Sequence, residues 1–437
     1  MLPYLLDFCY VILLILVSPH LLWKRWKRGK SQTNFGQKLR GRLPRRWNHS
    51  SPRIWIHAVS VGEVLQLRQL ISRMRESRPD LQILVTTTTS TGHAVACETL
   101  EGCDVAYFPL DFSYTVNRAL YRACPDLIIL VELELWPNFI TAATNRSIPL
   151  MIINGRLSER SYKGYSRIRF LIQGLLDQLK LIAVQSEEYR ERFIDLGARP
   201  ERTIVTGSIK FDGVNMDRGN SRTQELREWL QIRPEELVFM AGSTQDPEER
   251  YALTIFKELQ QEFPQLRLIL VPRHPDRGDE VASLIQSQGL HVARRSRSGI
   301  TLSASQQPVG LLDTVGELGA CWGLADVAFV GGSFTKRGGQ NMLEPAAYGA
   351  AVCYGPNTSN FRQVVELLEQ HQASQRVRSL EELTQFVRTM LKDRTQAEEM
   401  GQRAQNLILS QQGATARTVE QIFSILQTRR DSSRSAA

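Results

Sequence analysis

The sequence predicts an α/β protein built as two doubly wound domains in series, with an N-terminal membrane-anchor helix ahead of them. Three observations predict it. The chain has 437 residues, and one core rarely grows beyond roughly 250–300 residues before a chain splits. Short apolar runs alternate with amphipathic helical stretches twice over, with a polar break at 212–223 (DGVNMDRGNSRT) between the two series. Finally, Leu2 to Leu22 reads LPYLLDFCYVILLILVSPHLL, which at about 1.5 Å per residue just crosses a hydrocarbon core of roughly 30 Å.

The first segment, residues 1–23, is predicted as the anchor. Asp7 lies near one end, where it reaches the interface. A cleaved signal peptide carries its charge ahead of the apolar run. Here Lys24, Arg25, Lys27, Arg28 and Lys30 follow it, and no A-x-A site appears. The same charges place the following chain in the cytoplasm, as a single-pass inner-membrane protein. Residues 24–52 form a basic juxtamembrane segment. Over 24–53 there are eleven Lys or Arg and no acid, interleaved with Trp26, Phe35 and Trp47 and preceded by Trp23. That mix suits an anionic membrane surface; a solvated basic linker is the plainer alternative. Residues 54–437 carry 43 bases and 44 acids, so the net charge of +9 is a local patch. Nucleic acid is therefore not an expected partner.

An apolar fraction of 42% with 23% charged residues excludes a disordered chain and a polytopic membrane protein. The six cysteines form no C-x-x-C pair, which excludes a zinc framework and fits reduced thiols. Strands are predicted at 53–59, 82–87, 104–108, 127–131, 149–153 and 180–185, with helices between them, for example at 63–77 and 187–196. These make a first domain over 53–214. Further strands at 237–241, 267–271, 290–294, 309–312, 327–330 and 351–354 make a second over 215–426. The tail, 427–437, is expected to be flexible. Ligand-binding loops belong at the carboxyl ends of such strands, around an interdomain cleft.

The second half carries the stronger chemical signals. In FVGGSFTKRGGQNMLEPAAYG (329–349) a strand ends in Gly331-Gly332-Ser333, a loop holds Lys336 and Arg337, and a helix opens near Asn341. Glycines let backbone approach a phosphate, and helix N–H groups favour an anion. Neither G-x-G-x-x-G nor G-x-x-x-x-G-K-[ST] is present. Glu344 suits two ribose hydroxyls, or equally an ordinary first-turn acid. Arg273, between Pro272 and His274-Pro275, suits a fixed phosphate or carboxylate, or equally a surface turn. Ala241-Gly242-Ser243-Thr244 adds donor-rich backbone to the same rim.

In the first half, strand 53–59 runs into Ser60-Val61-Gly62-Glu63. Glu63 reads as a general base or as a plain helix-start acid; the helix dipole lowers its pKa unless burial or a second carboxylate opposes it. Glu132 and Glu134, ending strand 127–131, supply such carboxylates, and acids at the end of a buried strand are costly unless paired or used. No metal-ligand spacing and no Ser/His/Asp order is present.

With these motifs assembled, the chain resembles the 3-deoxy-D-manno-octulosonic acid (Kdo) transferases of lipid A assembly. The likeness runs through His57-Ala58-Val59-Ser60-Val61-Gly62-Glu63, Glu132-Leu133-Glu134-Leu135-Trp136-Pro137-Asn138, Asn154-Gly155-Arg156-Leu157-Ser158, Lys210-Phe211-Asp212, Ala241 to Thr244, Pro272 to Pro275, and Gly331 to Pro345. The resemblance implies two Rossmann-like domains of the glycosyltransferase-B type, a CMP-Kdo donor, a lipid A precursor acceptor, inversion at the anomeric carbon, and no cofactor or catalytic metal. It implies Glu63 as base, Glu132 or Glu134 as a supporting acid, and Lys210, Ser243, Arg273, His274, Gly332, Ser333, Asn341 and Glu344 as the nucleotide-sugar site. The family pattern has Asn where Ser208 stands, and His where Gln245, Gln340 and Asn357 stand; the amides keep hydrogen bonding and lose a titratable cation. Two other readings share the fold: a nucleotide-sugar 2-epimerase, which has no use for residues 1–53, and a membrane-tethered scaffold without catalysis.

Overall fold

The computed structural model describes residues 6–12, 15–16, 18, 35–46, 48, 50–297 and 308–435. The chain divides into two units, Met1–Gly213 with Gln411–Ala437, and Val214–Ser410.

The first unit is a parallel sheet of β1 (Arg53–His57), β2 (Gln82–Thr87), β3 (Asp104–Tyr107), β4 (Leu127–Val131), β5 (Leu150–Gly155), β6 (Leu181–Val184) and β7 (Thr203–Val205). Their order is β3-β2-β1-β4-β5-β6-β7. β1, β2, β4 and β5 are buried at every residue, because helices cover both faces of a parallel sheet. This is why they read as continuous apolar runs. Trp55 on β1 packs into one face with Phe108 and Phe139, and its indole N–H donates to Thr86 Oγ1 at 2.8 Å. Ile54 and Ile56 point into the other core. The strand order reverses between β1 and β4, which opens a crevice at their carboxyl ends.

The second unit repeats the plan with β8 (Leu237–Thr244), β9 (Leu266–Pro272), β10 (Val292–Arg294), β11 (Val309–Leu311), β12 (Val327–Val330), β13 (Ala351–Tyr354) and β14 (Gln375–Arg376). The order is β10-β11-β9-β8-β12-β13-β14, all pairs parallel. Its reversal falls between β8 and β12.

Four features differ from the sequence reading. β7 and β14 are short edge strands of three and two residues, too brief to show a period. The residues after 410 belong to the first unit, and the tail expected to be flexible, 427–437, is helical as far as Ser435. Ala414–Ser435 is a helix whose Val419, Ile422, Ile425 and Leu426 pack under β1, β4 and β5. Asp212 accepts from Gly413 N at 2.6 Å, which fixes where that helix begins.

The expected spanning helix is not supported: residues 1–5, 13–14, 17 and 19–23 of that segment lie outside the described residues. No helix among the described residues is long and apolar enough to cross a membrane. Residues 6–12 are helical, with one polar face turned onto the first unit. Asp7 accepts from Ser113 N at 2.9 Å and from Asn138 Nδ2 at 3.0 Å. Tyr10 donates to Asp111 Oδ2 at 3.1 Å and sets its ring edge-on to Phe112. A carboxylate held by that many donors is part of the protein body. Phe8, Val11, Ile12, Ile15 and Leu16 stay exposed.

The basic segment is likewise not uniform. Its bases at 24–30, with Trp23, Trp26 and Trp47, lie outside the described residues. Among the others, Lys38 is buried and donates to the Thr88 carbonyl at 2.6 Å. Arg53 is fully buried and paired with Asp104. Arg46 bridges Asp126 at 2.9 Å and donates to the Cys124 carbonyl. Arg40, Arg42 and Arg45 are exposed. Arg46→Ala is therefore expected to lower stability by about 3 kcal/mol in urea melts, since it removes the charged partner of a partly buried Asp126, which still accepts from Arg53 N, together with the bond to the Cys124 carbonyl. Arg45→Ala should stay within about 0.5 kcal/mol.

Candidate active site

At the β1/β4 crevice three carboxylates gather. The turn after β1 begins the helix Val61–Ser77 through a capping box: Glu63 N donates to Ser60 Oγ, and the Glu63 carboxylate reaches back to the cap. Its oxygens accept from Val59 N at 2.8 Å, Ser60 N at 3.2 Å and Ser60 Oγ at 2.7 Å. Helix-start acid and chemical candidate are thus the same side chain. Burial raises the Glu63 pKa in spite of those donors, and the Glu132 charge adds to the rise. Burial therefore outweighs the hydrogen bonds of the cap.

The loop after β4 brings the other two. Glu132 sits at φ +62°, a left-handed backbone that is uncommon without glycine. Its carboxylate pairs with Lys210 at 3.7 Å, so Lys210 belongs to this rim of the first unit. Glu134 accepts from Trp136 Nε1 at 2.9 Å. Burial first, and then the Glu63 charge, lift its pKa to about 7. Neighbouring carboxylates that differ in affinity for a proton are equipped for general acid–base work.

In the second unit, Ser243, one residue before the end of β8, sits at φ +56°, beside the end of β12. Gly331 is required there: a Cβ would lie 2.7 Å from the Ser243 carbonyl oxygen. The glycine loop does make an anion hole, but the protein fills it. Glu248, which is fully buried, accepts from Gly332 N at 2.7 Å, Ser333 N at 2.9 Å, Phe334 N at 2.9 Å and Gln245 N at 3.0 Å. This corrects the expectation that the Gly332 and Ser333 N–H groups face a phosphate. The Ser333 side chain is also committed: it donates to the Val330 carbonyl at 2.6 Å and accepts from Gly355 N at 2.8 Å. Ser243 is buried as well.

The groups left for a ligand stand around that staple. Arg273 and His274, after β9, are exposed, as are Lys336 and Arg337. Asn341 Nδ2 donates to Glu344 Oε1 at 2.9 Å, and Asn341 Oδ1 accepts from Leu343 N at 3.1 Å. Burial raises the Glu344 pKa, against hydrogen bonds from Asn341 and Trp322. Gln245 and Gln340 both crowd the open side of Gly332. Sequence reasoning missed Glu248 and Trp322. Glu248 lies in an ordinary acidic helix start, and nothing local reports that its partners are 84 residues away.

Among the described residues no group of three or more His, Cys, Asp or Glu is placed to hold a metal ion. A cavity of about 570 Å³ lined by Arg218, Asp326 and Tyr348 lies at the amino ends of β8 and β12, the opposite end from these loops, and open α/β sheets bind ligands at the carboxyl end.

Comparison with known proteins accords with this geometry. The family model described as 3-deoxy-D-manno-octulosonic-acid transferase (kdotransferase) matches residues 32–213. The 3-deoxy-D-manno-octulosonic acid transferase of Haemophilus influenzae is 34% identical, with 94% of this chain and 97% of that one covered. Among solved structures, a putative UDP-N-acetylglucosamine 2-epimerase from Listeria monocytogenes aligns at TM-score 0.56 and 12% identity, covering 86% of this chain and 97% of that one. A glycosyltransferase from Rickettsia africae aligns at TM-score 0.53 and 12% identity, covering 87% and 99%. These two likenesses show a fold that epimerases and transferases share, so the choice between them rests on sequence. The sequence decides it: the chain belongs to the 3-deoxy-D-manno-octulosonic acid (Kdo) transferase family, and it is a glycosyltransferase.

Proposed function

We propose that this chain transfers Kdo from CMP-Kdo to a hydroxyl of a lipid A precursor, with inversion at the anomeric carbon. The observation that carries the chemistry is Glu63, a carboxylate buried at the topological reversal of the first sheet, with its pKa raised and Glu134 beside it. Glu63 takes the proton from the acceptor hydroxyl as that oxygen bonds to the anomeric carbon. The bond from that carbon to the CMP phosphate breaks, and CMP leaves as an anion. Glu132 is held by Lys210, and Glu134 is the supporting acid. In the second unit Glu344 and Asn341 suit the ribose. Arg273, with the exposed Lys336 and Arg337, meets the phosphate charge. The Gly332 and Ser333 N–H groups shape the loop through Glu248 and do not touch the phosphate.

The acceptor is a lipid, and pulling its acyl chains from a bilayer costs about 0.8 kcal/mol per CH₂. The enzyme therefore works at the membrane surface, on the cytoplasmic face to which the bases after the first segment point. The exposed Phe8, Val11, Ile12, Ile15 and Leu16 and the exposed Arg40, Arg42 and Arg45 suit that anionic surface. Complementation tests the reading. In a strain lacking its own Kdo transferase, this chain is expected to restore growth and Kdo-bearing lipid A. Expression without either sets the reading aside.

A further inference from the structure

His57, the last residue of β1, is fully buried, and its ring stacks on Phe108 with centroids 3.8 Å apart. Nδ1 lies 3.0 Å from the Thr86 carbonyl oxygen. A carbonyl only accepts, so the ring proton sits on Nδ1. Nε2 is then a bare lone pair, buried and with no hydrogen-bond partner. Such a group is costly unless it does something. Protonating the ring is no remedy, because burial drives the His57 pKa down to about 3.

What faces the lone pair is Glu134: its Oε2 lies 4.0 Å from His57 Nε2. A lone pair opposite a carboxylate repels it. Opposite a carboxylic acid it accepts a hydrogen bond, and a carboxyl movement of about 1 Å brings the atoms to bonding distance. We propose that His57 is a positioning residue that holds Glu134 as the neutral acid, its O–H donating to His57 Nε2, so that Glu63 is the member of the pair that ionises. The proposal rests on the reading of Glu63 as base.

The surrounding charges agree. Glu134 feels Glu63 from the helix Val61–Ser77 and Glu132 from its own loop, and both raise its pKa. Lys210 pairs with Glu132. Trp136 Nε1 donates to Oε2 of Glu134 and pulls its pKa the other way, a smaller effect than burial and the Glu63 charge. Tyr165 lies close enough for the Glu134 charge to push its phenol up, after burial. Two coupled carboxyls do not both ionise cheaply, and their protons leave in steps that belong to the pair. The one acceptor that distinguishes them is His57 Nε2. It keeps the proton on Glu134, which leaves Glu63 free to take the substrate's proton.

The test is a double-mutant cycle read as pH profiles of kcat/KM on the full chain. His57→Leu removes the acceptor. The proton is then shared between Glu63 and Glu134, so the acid limb is expected to move up by about one pH unit. Well below that limb the rate should fall about tenfold, and above it the rate should recover. Glu134→Gln fixes a neutral group in place of the acid. In that background His57→Leu should cost no more than about twofold at any pH. A His57→Leu loss that is equal at every pH, or equal in both backgrounds, would mean the histidine only packs. Should His57→Leu fail to fold, Glu134→Gln alone still decides. Its acid limb should coincide with that of the parent, with a loss of tenfold at most; a limb shifted clearly downwards, or a loss as deep as that of Glu63→Gln, overturns the proposal. Failure of the Glu63 reading is a separate result, seen as near-normal turnover in Glu63→Gln.

Discussion

Glu63→Gln is expected to lower Kdo transfer by about 10³-fold while CMP affinity stays within about twofold. The amide has the shape of the carboxylate and still accepts from the cap, since Gln serves at this position of a capping box. Ser60 and the helix Val61–Ser77 should therefore stay in place. What the amide lacks is the ability to take a proton from the acceptor hydroxyl. The residues proposed to hold the nucleotide, such as Arg273 and Glu344, lie on the second unit, so they are untouched. Initial rates with CMP-Kdo and a lipid acceptor, set beside calorimetry with CMP, separate the two effects. A rate within tenfold of the parent would remove Glu63 from the mechanism. Lost CMP heat alongside lost transfer would make it a folding residue.

Glu248→Ala should give the largest loss of stability. It leaves the N–H groups of Gly332, Ser333, Phe334 and Gln245 without the carboxylate they now share. Buried donors to a charged group are costly to strand, and about 3–5 kcal/mol is expected in urea unfolding. The Gly331–Phe334 turn is expected to loosen and CMP affinity to fall with it. Glu248→Gln should recover less than half of the stability, because its NH₂ group meets donors where the carboxylate offered a second oxygen. If Glu248→Ala unfolds like the parent yet loses CMP, Glu248 contacts the ligand, and the filled anion hole has been misread.

These cases show what local sequence conveys. The buried strands were legible because helices on both faces leave them continuously apolar, as in Leu127–Val131. The crevice residues Glu63, Glu132 and Glu134 were legible because acids at the ends of such strands need a reason to be there. Glu248 was not, since its partners come from another strand's loop. Ser333 was misplaced for the same reason: the motif marks the turn correctly but does not say that the serine bonds inward. The first segment reads as a span by hydropathy, which counts residues and does not report what the described ones touch. Asp7 is the discordant residue in that run, and its partners Ser113 and Asn138 lie more than 100 positions on. Similarly, the helix Ala414–Ser435 ends in a polar run that reads as a tail, while its apolar face closes the first unit.

The most direct measurement is the mass of the lipid after incubating the purified full chain with CMP-Kdo and a lipid A precursor. The account predicts that the precursor gains whole Kdo units in step with the CMP released, and that Glu63→Gln under the same conditions yields neither. CMP released with the lipid mass unchanged, or a nucleotide sugar converted in the absence of lipid, would contradict it.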